Sequence, residues 1–361
     1  MMNWQKMLCG ALLLAACEDA ERTGGTPEPV DAYMLDAGLM DESVFDMAPP
    51  ETLSFTVVTF NTGSAPELDH DGPPEDGYGP AEAELTDTWY GNGLAWMERV
   101  NEAAAFMADL QPDLVAFQEI FHPGDCAEVP SEHHGGFVCD GWSPDQPTVA
   151  QRVLGDGWQV ACHPGKPDKC VGVHRRLGMW AGCEGALCLE GLTGEGVDGC
   201  GRGARVASGV LQLVDGRALT VVSVHGTSGF EAESIQCRRA QVEQALTLAG
   251  EGPVVILGDL NTDPGRAAGV DESAGRWVSA VEGEGGLRFI SEVGRDVEPT
   301  YAGLFNIDHV LARGLEGACV AAGLPGGPPP VTEAVFFDHV PIICDLNWGQ
   351  SGELPKNILP D

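Results

Sequence analysis

Positive charge is what this sequence has least of: 19 Lys and Arg stand against 55 Asp and Glu among 361 residues, a formal charge of -36. A surface of that sign repels polyanions, which argues against a protein that coats nucleic acid, although a bound metal ion can still create a local positive site. The apolar run near the start, Met7 to Ala16, is too short to span a bilayer. No CxxC pair occurs, and His133 and His134 are poorly spaced beside Cys139 for a finger-type zinc site. There is no internal repeat and no EF-hand pattern. What is present is enough apolar residue, 43%, to fill a substantial core.

The short apolar run ends in Leu14-Ala15-Ala16-Cys17, which resembles the lipobox of bacterial lipoprotein signals. The resemblance implies a signal peptide over 1–16 and a lipid on Cys17. The protein would then be anchored to a membrane of the bacterial cell envelope on its extracytoplasmic side, periplasmic or at the cell surface. An ordinary secretory cut near Ala16 and an uncleaved stub are the alternatives. Residues 17–52 carry many acids against the single base Arg22 and lack sustained apolar periodicity, so they read as an acidic, disordered tether. Export suits the cysteines. Apart from Cys9 and Cys17 they form an even set, and proximity along the chain suggests Cys126–Cys139, Cys162–Cys170, Cys183–Cys188, Cys200–Cys237 and Cys319–Cys344.

Folded structure is expected over 53–347, with 348–361 as an uninformative tail. Leu53 to Asn61 is rich in β-branched and aromatic residues and reads as a strand. Gly63 to Asp87 reads as a solvated loop, its acids Asp69, Asp71, Glu75 and Asp76 offering calcium as the lesser alternative. Helical spacing of apolar residues predicts a helix over Asn92 to Leu110, and Asp113 to Glu119 is a second strand. About 121–205 is dense in Gly and Cys and reads as an insertion in which disulfides replace a conventional core, with a hairpin of Gly157 to Cys162 and Cys170 to Arg176. Strands are then expected at Ala207 to Val214, Ala218 to His225, from Val254, Phe305 to Ala312 and Val340 to Leu346, with a helix over Ser234 to Ala249. The alternation of strand and helix is that of an α/β fold with ligands where strands finish.

Several strands end in residues suited to metal and phosphate chemistry: Asn61, Glu119, His225, Asp259 with Asn261, and Asp308, followed by Asp338-His339 before the last strand. Each alone is more often a turn residue or a structural histidine. Their order, in TFN, QE, SVH, GDLN, IDHV and DHVP, resembles the endonuclease/exonuclease/phosphatase superfamily over Leu53 to Leu346. That resemblance implies a four-layered α/β sandwich, two packed mixed β-sheets flanked by helices, and a monomeric, divalent-metal-dependent phosphoester hydrolase.

The resemblance also implies roles. Glu119, Asn61 and Asp338 would hold Mg²⁺, with Mn²⁺ or Ca²⁺ as alternatives, because hard cations take oxygen ligands. Asp338 has a loop-fixing role as its alternative. Asp259 would orient or deprotonate the attacking water, Asn261 would donate to the phosphate, and His339, held by Asp308, would take part in proton transfer. His225 would be a second imidazole on the phosphate, or else a buried histidine satisfied by backbone. The deoxyribonuclease branch supports that histidine with a carboxylate; here the corresponding place reads Cys162-His163-Pro164. Arg205, and beside it Arg202, are candidates for phosphate contact, with surface solvation equally open. The substrate could be nucleic acid, a phospholipid as in a sphingomyelinase, or a small phosphate, and a non-catalytic binding scaffold is the rival reading from another class.

Overall fold

The computed structural model describes residues 53–64, 79–91, 93–333 and 336–348. The expected signal peptide, Cys17, the acidic tether, all of the tail but Trp348, and the acids Asp69, Asp71, Glu75 and Asp76 lie outside them. Among the described residues no helix is long and apolar enough to cross a membrane.

Two six-stranded sheets form the centre. The first contains β1 (Ser54–Asn61), β2 (Leu114–Gln118), β3 (Trp158–His163), β4 (Lys166–His174), β11 (Leu315–Ala321) and β12 (Ile342–Trp348), in the order β11-β12-β1-β2-β4-β3. The second contains β5 (Gly178–Trp180), β6 (Val206–Leu213), β7 (Ala218–His225), β8 (Val254–Asp259), β9 (Arg288–Phe289) and β10 (Asp308–Arg313), in the order β5-β6-β7-β8-β10-β9. Both sheets are mixed: β1 with β2 and β7 with β8 are parallel, and the remaining pairs are antiparallel.

Strand alternation sorts the core into layers. Phe55 and Val57 of β1 join Leu114, Ala116, Leu257 and Val310 between the sheets. Val58 and Phe60 point the other way, onto α2 (Met97–Leu110) with its buried Val100, Ala103 and Met107. On the far side, Val222, Val224 and Ile256 pack on Val242 and Ala245 of α4 (Ala232–Ala249) and on Trp277 of α6 (Glu272–Glu282), which follows the short α5 (Pro264–Ala267). The result is helix, sheet, sheet, helix, the four-layered α/β sandwich expected from the motifs.

Three local readings are corrected. Part of the expected Gly63 to Asp87 loop is α1 (Pro80–Trp89), opened by Pro80 and capped by Glu82 reaching back to the Gly79 N–H. Helix α2 starts at Met97, later than Asn92, because Gly93 packs its backbone on Glu119 and Phe121, where a Cβ would stand 2.6 Å from the Glu119 carbonyl oxygen. The segment about 121–205 does not lack a core. It supplies β3, β4, β5 and α3 (Val149–Leu154), and Phe137, Val149, Val153 and Trp158 pack with Phe60 and Phe117. Its glycines and cysteines masked an apolar pattern spread over short elements. The five disulfides Cys126–Cys139, Cys162–Cys170, Cys183–Cys188, Cys200–Cys237 and Cys319–Cys344 form as proximity suggested, leaving none of these thiols for zinc.

Candidate active site

Sheet register assembles the site. His225 and Asp259 are partners across the parallel pair β7–β8, and Asp259 faces Asp308 across the antiparallel pair β8–β10. Three polar side chains thus start from adjacent strands at one rim. Gly258 permits this, since it has φ +147° and its Cβ would stand 1.8 Å from the Val224 carbonyl oxygen. From the other sheet, β1 ends at Asn61, paired with Gln118, the residue before Glu119.

The sheets meet at Asp259, which is 1% exposed. Its Oδ2 accepts from Asn61 Nδ2 at 3.0 Å and from Asn261 Nδ2 at 2.9 Å, and its Oδ1 accepts from the Asn261 N–H at 2.7 Å. Burial, and then the charge of Asp308, push the Asp259 carboxyl up to about 7, while His339 and the hydrogen bonds oppose the rise. Asn261 has φ 51° and Glu119 has φ 58°. Asn tolerates this left-handed region; for Glu it is an uncommon conformation, held here where the backbone turns out of β2 into the site.

His339 sits between carboxylates. Its Nδ1 is 2.8 Å from Asp308 Oδ2, and its Nε2 lies 3.9 Å from both Asp259 Oδ2 and Asp338 Oδ1. Burial alone would lower its affinity for a proton, but Asp308, Asp259 and Asp338 outweigh it and raise the imidazole to about 10. Thr300, a residue the motifs did not single out, donates its hydroxyl to Asp308 Oδ2 at 2.7 Å. His225 has the opposite character. Burial, then Lys169 and Arg205, hold it well below the usual imidazole range, so it is neutral.

The His225 Nε2 is 3.4 Å from Glu119 Oε1 and 3.7 Å from Asp259 Oδ2, whereas its buried Nδ1 has no hydrogen-bond partner. Backbone therefore does not satisfy this ring. His163 supplies no carboxylate behind it: its Nδ1 contacts the Ala204 carbonyl at 3.0 Å, its Nε2 is unpartnered, and burial lowers it to about 4. Arg205 is neither a solvated surface side chain nor aimed outward. It lines the cleft beside His225 and donates Nη1 to the carbonyls of His225 and Gly226. Arg202 is exposed and does not line that cleft.

Oxygen donors of the kind a hard cation takes gather at one point of this rim. A Cβ on Gly63 would lie 2.7 Å from Glu119 Oε2, 3.1 Å from Asp338 Oδ1 and 3.3 Å from Asn61 Oδ1. Three oxygens converge where glycine leaves space. Asp338 Oδ1 is buried without a hydrogen bond, and burial raises its carboxyl to about 6 although His339 opposes. His339 Nε2, at 3.9 Å, is beyond hydrogen-bond reach, which leaves this oxygen a lone pair that could bind a cation. Asp259, Asp308 and His339 also bring ligand atoms within 4.8 Å of one another. There, however, His339 Nδ1 and Asp308 Oδ2 already bond each other, so the oxygens around Gly63 are the better metal cradle.

A cleft of about 470 Å³ opens beside Glu119 and His225. A two-sheet α/β sandwich with carboxylates, amides and two imidazoles at one rim is the architecture of a metal-dependent phosphoester hydrolase. The model of the Endonuclease/Exonuclease/phosphatase family matches residues 58–330, and the chain belongs to that family of metal-dependent phosphoester hydrolases. The matched span ends before Asp338 and His339, which the fold returns to the same rim.

No curated protein matches the sequence. Among solved structures, an endonuclease/exonuclease/phosphatase from Beutenbergia cavernae is similar at 17% identity and a TM-score of 0.52, covering 82% of this chain and 72% of that one. The human Nocturnin catalytic domain, solved with bound sulfate anion, is similar at 14% identity and a TM-score of 0.51, covering 82% and 95%. Similarity at this level extends to the fold alone.

Proposed function

We propose that the protein is a Mg²⁺-dependent phosphoesterase acting outside the cytoplasm, with Glu119, Asn61 and Asp338 as metal ligands and Asp259 and His339 as the proton-handling pair. The observation that carries this reading is the meeting of both sheets at Asp259, with the Gly63 cradle on one side and the His339–Asp308 pair on the other. Such a cation, when bound, neutralises charge on the phosphoryl oxygens and makes a water more acidic. Mn²⁺ or Ca²⁺ would satisfy the same oxygen donors.

The chain's own residues divide the remaining work. Asp259, raised to about 7, takes a proton from the attacking water near neutral pH. The oxygen of water forms the new bond to phosphorus, the bond to the leaving oxygen breaks, and that oxygen accepts the proton carried by His339 on Nε2. Asp308 and Thr300 fix the His339 ring. Asn261 and neutral His225 are placed to donate to phosphoryl oxygens, so Asn261 would exchange one of its present acceptors for substrate.

The lipobox motif supports a lipid anchor at Cys17. Cys17→Ser should release the protein from the membrane fraction; unchanged retention contradicts the anchor. Lipid phosphodiester hydrolysis is a second reading. It is favoured by exposed Phe230 and Leu304, with the Phe230 ring 5.7 Å from that of Phe305 and the Tyr301 ring 4.7 Å from His339. Assays with bis-p-nitrophenyl phosphate, plasmid DNA and sphingomyelin, in Mg²⁺, Mn²⁺, Ca²⁺ or EDTA, separate these readings. Turnover of sphingomyelin alone selects the lipid enzyme, and no turnover of any phosphoester favours a binding scaffold.

A further inference from the structure

Only 19 of the 361 residues are Lys or Arg, yet Lys166, Lys169 and Arg205 all line the cleft beside Glu119 and His225. We propose that this cleft is a subsite for a second phosphate of the substrate, so that the preferred substrate is a compact organic phosphate carrying another phosphate close to the scissile one. The proposal rests on the hydrolase reading and narrows it to a substrate class.

Three chain segments are locked together to build the subsite. Lys166 and Lys169 lie on β4, and Arg205 precedes β6 in the other sheet. The turn between β3 and β4 packs backbone to backbone on the segment before Arg205: a Cβ on Gly203 would stand 2.2 Å from the Gly165 carbonyl oxygen and 2.6 Å from Lys166 Cγ. Gly203, at φ +70°, is the residue that this approach requires. The Ala204 N–H donates to the Pro164 carbonyl at 2.9 Å, and the Ala204 carbonyl contacts His163 Nδ1. Cys162–Cys170 crosses the hairpin, and Cys200–Cys237 ties the same segment to α4. The Ile120 N–H donates to the Asp168 carbonyl at 3.0 Å, which holds β4 against the residue after Glu119.

Three acids, Glu119, Asp125 and Asp168, share the wall with these three cations, and Glu119 turns its Oε2 to the Gly63 cradle. Asp168 is paired with Lys169 at 2.5 Å, and burial raises the Asp125 carboxyl above its ordinary value. Lys169 is 1% exposed, and Asp168 is its acceptor among the described residues, so two of its three N–H donors remain. Arg205 uses Nη1 on the His225 and Gly226 carbonyls and keeps its other donors. A buried ammonium with spare donors, a guanidinium fork and a second lysine match the oxygens of a phosphate. The volume of about 470 Å³ suits a small molecule, whereas an extended duplex would meet the net charge of -36.

The test compares the p-nitrophenyl ester of thymidine 5′-phosphate with the same ester bearing a 3′-phosphate, in Mg²⁺. The added phosphate should raise kcat/KM about tenfold or more in the wild type. Lys169→Met and Lys166→Ala should each bring that ratio towards one. Lys166 is half-buried, so its variant keeps the test valid if Lys169→Met does not fold. Calorimetric binding of inorganic pyrophosphate to chelator-treated protein gives a readout without turnover, expected to weaken about tenfold in Lys166→Ala. Pyrophosphate binding that depends on Lys166, with neither ester hydrolysed, keeps the subsite and retires the hydrolase. Hydrolysis of both esters at a ratio near one, or a ratio that neither variant changes, overturns the subsite and leaves the hydrolase standing.

Discussion

His339 Nδ1 lies 2.8 Å from Asp308 Oδ2, with both side chains buried and a hydroxyl from Thr300 on the same carboxylate oxygen. This pair keeps an imidazole charged in a place where burial opposes charge, and it has a signature in pH. His339 is raised to about 10, so the stabilisation from its bound proton is full below the ordinary imidazole value near 6.5 and fades as pH rises through about 10. Asp308→Asn should cost about 3–5 kcal/mol at pH 6 and markedly less near pH 10, because it removes one partner of a buried ion pair. Denaturant unfolding at the two pH values measures this; an equal loss at both contradicts the assignment. In metal-free protein the His339 ring should titrate near 10 by NMR, and far lower in Asp308→Asn.

Gly63 is the residue whose smallest change strikes the metal cradle. Alanine there puts a methyl 2.7 Å from Glu119 Oε2 without demanding an unusual backbone angle. Gly63→Ala should weaken calorimetric Mg²⁺ or Mn²⁺ binding by about tenfold or more, since ligands displaced by tenths of an ångström no longer converge. Unaltered affinity would place the metal elsewhere, with Asp259, Asp308 and His339 the next candidate group.

Glu119 combines a site role with a left-handed backbone, φ 58°. Glu119→Gly should lose activity by orders of magnitude yet gain about 1 kcal/mol in stability, as glycine adopts that conformation without strain. Glu119→Ala should lose activity equally without the gain. A destabilised glycine variant would show that the Glu119 side chain holds the fold together.

The disulfides should rank by the loop each one closes. Removing Cys200–Cys237, 37 residues apart, should cost about 4 kcal/mol, and removing Cys183–Cys188, 5 apart, about 2 kcal/mol. Urea unfolding of the paired Cys→Ala variants checks the order. A reversed order means that native packing, and not loop closure, sets their contributions.

Much of this was legible in the sequence because chemistry-bearing residues stand at strand ends. Apolar, β-branched runs ending in Asn61, His225 and Asp259 located β1, β7 and β8, and proximity along the chain paired the cysteines. What escaped detection has physical reasons. Two cations of the cleft, Lys166 and Lys169, stand in the first half of β4, where Lys169 reads as a surface residue, and its burial follows from packing between distant segments. Thr300 reaches Asp308 from a loop with no motif. Helix α6 has no local signal because its start depends on Asp271, whose carboxylate caps the Ser273 N–H and also pairs with Arg238 of α4, a tertiary contact invisible in local spacing. Gly63 gave only the weak signal of a glycine two residues beyond Asn61.

The most direct measurement is the initial rate of bis-p-nitrophenyl phosphate hydrolysis by the wild type, Glu119→Ala and His339→Ala, first in Mg²⁺ and then with EDTA. The expected result is turnover that EDTA abolishes and added Mg²⁺ restores, with both variants slower by about two orders of magnitude or more while still folded. Turnover indifferent to EDTA, or near-normal rates in both variants, would contradict a metal-assisted site built around Glu119 and His339.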